Sequence, residues 1–198
     1  HAWATLCRAG KINPTEPVNF SVPTGNFGDI LAGYFAKCMG LPVGKLLCAS
    51  NTNNVLTEFL LTGKYDRRRP FYKTTSPSMD ILVSSNLERL LYLATGGDAE
   101  MVAEKMCELN ELGWYQIEDD LLQKIQETFL CGCCDDTMTA QTIKTVWEQE
   151  RYLLDPHTAV AWAVAEQHRA ELDGQTVVLS TASPYKFAPA VLAALGQK

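Results

Sequence analysis

Twice in its first third the chain passes from a short apolar stretch, through a polar turn, into an apolar pattern at helical spacing. Val18-Asn19-Phe20-Ser21-Val22-Pro23 reads as a buried strand closed by Pro23. Thr24-Gly25-Asn26-Phe27-Gly28-Asp29 reads as a turn. Ile30, Leu31, Tyr34, Phe35 and Cys38 then recur on one helix face until Gly40 stops it. Lys45 to Ala49 is a second strand, and Asn53 or Asn54 caps a helix carrying Val55, Leu56, Phe59 and Leu60 up to Gly63. Short strands without alternation belong to sheets covered on both faces, and strand–turn–helix in series builds parallel sheets. The expected fold class is α/β, a mainly parallel open sheet flanked by helices.

The rest of the chain fits that plan unevenly. Residues 64–80 are polar and irregular, with Pro70 and Pro77. Ser84 or Ser85 caps a helix carrying Leu87, Leu90, Leu91 and Leu93, up to Gly96-Gly97. From Asp98 to Arg151 the pattern is mostly helical, with a cysteine-bearing loop at 130–136. Asp155-Pro156 opens another helix, with Asp as N-cap and Pro at the first position. Val177-Val178-Leu179-Ser180 is the last strand, and a final helix covers 188–195. The three strands Val18–Val22, Lys45–Ala49 and Val177–Ser180 are expected to be neighbours in one sheet. No internal repeat is visible.

Charge and composition exclude some function classes. Lys and Arg total 17 against 23 Asp and Glu, a net charge of −6. That balance argues against a nucleic-acid face, which needs a basic stripe to neutralise phosphates. Arg67-Arg68-Arg69 is then a solvated loop. No apolar run of about 18 residues is present to span a membrane, and no secretory core opens the chain; a cytoplasmic location is expected. The chain opens at His1 and runs through Trp3, Leu6 and Cys7 as the tail of an amphipathic helix, so it is expected to be a fragment. The seven cysteines read as free thiols in a reducing compartment. Cys131, Cys133 and Cys134 lack partner ligands at zinc spacing, so no metal is expected.

The segment Pro23 to Asp29 carries the chemistry. Two glycines let the backbone turn sharply and approach a ligand closely. The helix that follows presents unpaired N–H groups and the positive end of its dipole. Together these suit an anion, most naturally phosphate. A plain tight turn between strand and helix stands as the alternative, since neither G-x-G-x-x-G nor G-x-x-x-x-G-K-[ST] is present. The Asp29 carboxylate would repel a bound phosphate unless it turns back onto the helix N-terminus.

The run Pro23-Thr24-Gly25-Asn26-Phe27-Gly28-Asp29 resembles the phosphate loop of threonine synthase, a fold-type-II pyridoxal-phosphate enzyme. Ser76-Pro77-Ser78-Met79-Asp80-Ile81-Leu82 followed by Ser85-Asn86-Leu87-Glu88-Arg89 looks like that family's middle segment. Asp155-Pro156-His157-Thr158-Ala159-Val160 and Thr181-Ala182-Ser183-Pro184-Tyr185-Lys186-Phe187 look like its C-terminal blocks. The likeness is firm over 18–97 and 155–187 and looser between them.

The resemblance implies a tryptophan-synthase-beta-like (fold type II) portion. Residues 18–63 and 155–198 would form the α/β core that carries the cofactor, and 64–154 a mostly helical subdomain, all within one fragment, 1–198. It implies that Gly25, Asn26, Phe27, Gly28 and Asp29 cradle the phosphate of pyridoxal 5′-phosphate, largely through main-chain N–H groups. Asn26 would also face the phosphate of the substrate, O-phosphohomoserine. The Thr181 hydroxyl would hydrogen-bond the pyridine nitrogen and leave it largely unprotonated, a milder electron sink. Ser183 departs from the family, where His often precedes this proline. Lys186 matches a family lysine other than the Schiff-base lysine, which in the family precedes the phosphate loop. Only Lys11 lies upstream here, in the polar connector Gly10–Pro14, so no catalytic residue is expected within this chain. The expectation is the C-terminal portion of an enzyme converting O-phosphohomoserine and water to L-threonine and phosphate. It would be inactive alone, its partner the missing N-terminal part of the same polypeptide. The competing readings are another fold-type-II enzyme such as a dehydratase, and a non-catalytic anion-binding or interaction domain. His157 is expected in the first turn of its helix, partly buried and structural.

Overall fold

The computed structural model describes residues 1–197. In chain order its elements are α1 (Ala2–Arg8), β1 (Val18–Pro23), α2 (Gly28–Cys38), β2 (Val43–Ser50), α3 (Val55–Thr62) and β3 (Lys64–Asp66). Next come α4 (Leu87–Ala94), α5 (Ala99–Glu111), β4 (Trp114–Gln116), α6 (Asp119–Gln126), β5 (Phe129–Cys133) and α7 (Asp136–Glu150). The chain closes with α8 (Pro156–Gln167), β6 (Gln175–Val178) and α9 (Ala188–Ala194). One-turn 3₁₀ segments stand at Pro77–Met79 and Pro184–Phe187.

Four strands form one sheet in the order β5-β2-β1-β6, with every pair parallel. The three strands read from the sequence are neighbours in it, as expected. The last begins two residues earlier than its apolar run, at Gln175, although Leu179 still donates to the Ser21 carbonyl at 2.9 Å. Burial on both faces explains the missing alternation. On β2, Leu46 and Cys48 pack with α2 and α3 residues, while Leu47 and Ala49 meet the alanine-rich face of α8. The Ser21 hydroxyl on the α8 side donates to the Ala161 carbonyl at 2.6 Å, so this buried polar group is satisfied inside the core.

Two expectations are corrected. The segment 130–136, expected as a loop, contains β5, an edge strand paired in register with β2 from Phe129 to Cys133. Cys-Gly-Cys has no β-branched residue to announce a strand; its place beside β2 makes it one. Gly132 admits α8 there, since a Cβ would stand 3.0 Å from a Val164 methyl. Residues 64–154 thus add a strand to the sheet beside their helices. The irregular segment from residue 64 also hides β3, which pairs antiparallel with β4. Each has only three residues, too few to show a period. Packing of Tyr65 on Tyr115, stacked at 5.3 Å, and of both on Phe59 holds the pair down. Among the described residues, no helix is long and apolar enough to cross a membrane.

Candidate functional site

Ligands of open α/β sheets bind beyond the carboxyl ends of the strands. Two of the predicted site segments lie there. The turn Thr24–Phe27 follows β1, and Thr181 stands three residues past the end of the adjacent parallel strand β6. Thr181 is exposed, and among the described residues its hydroxyl has no hydrogen-bond partner.

The turn has an unusual division of polar groups. Three of its carbonyls are taken, those of Gly25, Asn26 and Phe27. Ser84 Oγ donates to the Gly25 carbonyl at 2.8 Å, and Asn86 donates to the Asn26 carbonyl from both its main-chain N–H, at 3.2 Å, and its side chain, at 2.8 Å. The Phe27 carbonyl accepts from Leu31 N–H at 3.1 Å. Its donors are free. Among the described residues, no protein acceptor meets the N–H groups of Gly25, Asn26, Phe27, Gly28 or Asp29, and the helix they open has no side-chain cap. Successive free N–H groups at the start of an 11-residue helix make an anion cradle.

Phe27 fixes the shape. It has φ +65°, the left-handed region that a bulky residue rarely adopts, and yet it is only 1% exposed. Its ring packs 5.6 Å from that of Phe129 on β5, so burial of the ring holds a backbone geometry that would otherwise relax. Asn26, Gly28 and Asp29 are exposed and Gly25 is half-buried. Asp29 departs from expectation. Its carboxylate makes no cap on the helix; it lines the groove between α1 and α2 with Ala32, Gly33 and Ala36, the face its helical spacing dictates.

A second layer holds the turn, and sequence reasoning passed over most of it. Tyr65 OH donates to the Leu82 carbonyl at 3.1 Å and accepts from Ser84 N–H at 2.8 Å. Burial pushes this phenol up to about 12, so it stays neutral and serves both bonds. On the other flank, a Cβ at Gly25 would lie 2.8 Å from the Ser78 carbonyl oxygen, so only glycine fits. Asp80 accepts from Asn51, Asn53 and Thr74 and pins the far end of the Ser76–Asp80 segment. No spacing in the sequence links Tyr65 or Ser78 to the turn; only the folded chain brings them there.

His157 stands in the first turn of α8, as expected, but is almost wholly buried rather than partly so. Asp155 caps that helix and accepts from His157 N–H at 2.9 Å, His157 Nδ1 at 3.0 Å and the Thr158 hydroxyl. Burial works to raise the Asp155 carboxyl, but the bonds from His157 and Thr158 outweigh it and hold it below its ordinary range. The cysteine cluster is dispersed by the fold. Cys133 is exposed, Cys134 is buried beside Thr139, and burial pushes Cys131 and Cys134 up to about 11, which leaves both as weak nucleophiles. Among the described residues, no group of three or more His, Cys, Asp or Glu side chains is placed to hold a metal ion. The arginines at 67–69 are engaged: Arg68 with Asp66, Arg69 with Glu58 and Asn54, and Arg67 with the Asn110 carbonyl.

Known proteins are similar to this chain in sequence and fold. A family profile described as "Threonine synthase, C-terminal" matches residues 158–198. Threonine synthase-like 1 of Homo sapiens is 43% identical over 195 residues, 98% of this chain and 26% of that protein. Threonine synthase of Saccharomyces cerevisiae is 44% identical over 197 residues, 91% of this chain and 38% of that protein. The crystal structure of a PLP-bound threonine synthase from Brucella melitensis superposes with a TM-score of 0.90 at 45% identity, covering 98% of this chain and 41% of that one. The chain thus spans between about a quarter and two fifths of the length of these relatives.

Proposed function

From the chain's place in the threonine synthase family, as a C-terminal part, we propose that its Gly25–Asp29 turn holds the phosphate of pyridoxal 5′-phosphate. The observation that carries this reading is the run of unengaged N–H groups, with the Gly25, Asn26 and Phe27 carbonyls already bonded. A dianion needs several donors and no competing acceptor, and such a turn supplies both. The residues therefore fit the group. When bound, the cofactor supplies an electron sink for carbanion chemistry at the substrate.

The chain's own residues bind and orient. Gly25, Phe27, Gly28 and Asp29 donate main-chain N–H groups to the cofactor's phosphate. Asn26 does the same, and its exposed amide side chain faces the phosphate of O-phosphohomoserine. Thr181, past the end of β6, hydrogen-bonds the pyridine nitrogen through its hydroxyl. A hydroxyl, unlike a carboxylate, leaves that nitrogen without a full proton, so selectivity rests on positioning. Asp29 holds its charge on the α1 side of its helix, off the N–H cradle. The whole protein is a carbon–oxygen lyase acting on phosphate, a threonine synthase that works in the cytoplasm. Its remaining polypeptide provides the lysine that binds the cofactor, and these 198 residues alone do not turn over.

Amide NMR of the chain titrated separately with inorganic phosphate and with pyridoxal phosphate tests this. Both should shift the amides of Gly25 to Asp29, and only pyridoxal phosphate should also shift Thr181. Gly25→Ala, whose methyl group collides with the Ser78 carbonyl, should weaken both by about tenfold or more. Phosphate release from O-phosphohomoserine should be absent for the chain and appear once the rest of the polypeptide is supplied. Shifts scattered over surface lysines, with the turn silent, would remove the assignment.

A further inference from the structure

We infer that His157 is a positioning residue for the Gly25–Asp29 turn, acting through Ser78; its functional consequence rests on the phosphate reading above. His157 does not touch the turn. Its Nε2 accepts the Ser78 N–H at 3.2 Å, and its Nδ1 faces Asp155 Oδ1 at 3.0 Å. An acceptor at Nε2 requires the ring proton on Nδ1, from where it donates a hydrogen bond to Asp155. Both ring nitrogens are thus engaged, so the ring holds a shape and is not a free base. The Phe187 ring packs at 4.7 Å and closes the remaining freedom of the imidazole.

The next link is steric. Ser78 lies between His157 and the turn, its N–H toward the ring and its carbonyl against Gly25, where an added Cβ would stand only 2.8 Å away. Met79, whose Cα would lie 3.4 Å from that same Cβ, is anchored in the core on the α8 side. One hydrogen bond and one close backbone contact therefore couple the N-terminus of α8 to the floor of the turn. Asp80 pins the far end of the segment, so loss of the His157 bond tilts Ser78 without releasing the segment. A tilt alters the one flank of the turn that the Ser84 and Asn86 bonds do not hold.

The test compares His157→Leu, which has no acceptor, with His157→Gln, which retains one, by amide NMR and hydrogen exchange on the full 198-residue chain. Val191→Ala, in the core cluster of α7, α8 and α9 that contains no residue of the turn, serves as a destabilised control. His157→Leu should weaken inorganic-phosphate binding at the Gly25–Asp29 amides by about five- to tenfold, the scale of one net hydrogen bond. It should also speed exchange at Ser78. His157→Gln should restore much of both, and Val191→Ala should leave the phosphate affinity unchanged. Wild-type phosphate affinity and unmoved turn amides in His157→Leu would overturn the inference, as would an equal loss in Val191→Ala. If the unsubstituted turn binds no phosphate, the functional reading fails by itself. The turn's amide shifts and exchange in His157→Leu then still decide the positioning role. Should His157→Leu not fold, the coupling across the hydrogen bond between Ser78 N–H and His157 Nε2 in the unsubstituted chain decides. Its absence overturns the inference; its presence, with turn amides that shift in His157→Gln, supports it.

Discussion

The turn after β1 and the turn after β2 leave the same end of the sheet on adjacent parallel strands, and each feeds a helix on the same face. Their side chains and their exposure differ. After β2, Asn51 and Asn53 are almost wholly buried, and their side chains are saturated. Asn51 Oδ1 accepts from Asn53 N–H at 2.9 Å, and its amide nitrogen reaches Asp80 at 2.8 Å and Thr74 at 2.9 Å. Asn53 exchanges two bonds with the Tyr72 backbone, both at 2.9 Å. After β1, the outside partners bond only the carbonyls and leave the N–H groups of the turn unengaged. Position at the strand ends is therefore not sufficient for a site. A turn binds a ligand where its free donors are open to solvent: Asn26, Gly28 and Asp29 are exposed after β1, whereas Asn51, Asn53, Val55 and Leu56 are buried after β2.

The sharpest way to break the contrast is at Phe27. Its buried ring holds a left-handed backbone that asparagine or glycine would adopt at less cost. Phe27→Ala loses the ring and keeps the strain, so it should cost about 3–5 kcal/mol of stability and abolish phosphate binding at the turn. Phe27→Gly loses slightly more surface but relieves the strain, and should be no less stable than the alanine variant. Urea unfolding measures both. A nearly unchanged midpoint for Phe27→Ala would mean that the Ser84 and Asn86 bonds alone define the open turn.

A smaller effect is expected at the closed turn. Asp80→Ala removes the acceptor shared by Asn51, Asn53 and Thr74 and strands their donors, at a cost of about 1–3 kcal/mol. Phosphate binding should fall less than in Phe27→Ala, because the N–H cradle itself is untouched. An equal loss would show that the two turns are one unit.

The sequence discloses these two turns unequally. The strand–turn–helix grammar and the glycines of 25 and 28 are local signals, and they place the open turn, its helix and the parallel sheet correctly. The loop assigned to 130–136 fails because β5 owes its strand geometry to β2 rather than to its own residues. The supports of the turn are invisible for a related reason: Tyr65 lies 40 positions from Gly25 in the chain, Ser78 lies 53 and His157 lies 132. Periodicity and capping rules report neighbours within a few residues; contacts at such separations exist only once the core has formed. Asp29 shows the limit from the other side, where a capping rule suggested a role that the helix face overrode.

The smallest predicted effect separates the two turns by pH. Asp155 holds the His157 ring, and through Ser78 that ring bears on the open turn. Its carboxyl sits below the ordinary range because hydrogen bonds from His157 and Thr158 outweigh the penalty of burial. A depressed carboxyl contributes stability that is complete above the unfolded value, about 3.9, and is lost as pH falls through the lower folded value. The stability difference between the unsubstituted chain and Asp155→Asn should therefore be constant from neutral pH to about 5 and shrink below about 4. Urea midpoints across that range measure it. Over the same interval, exchange at the Ser78 amide, taken against its intrinsic rate at each pH, should accelerate in the unsubstituted chain, while exchange at Asn53, bonded to Asn51, should not. A difference that stays flat down to pH 2, or equal acceleration at both amides, would detach Asp155 from the open turn and leave it only as the cap of α8.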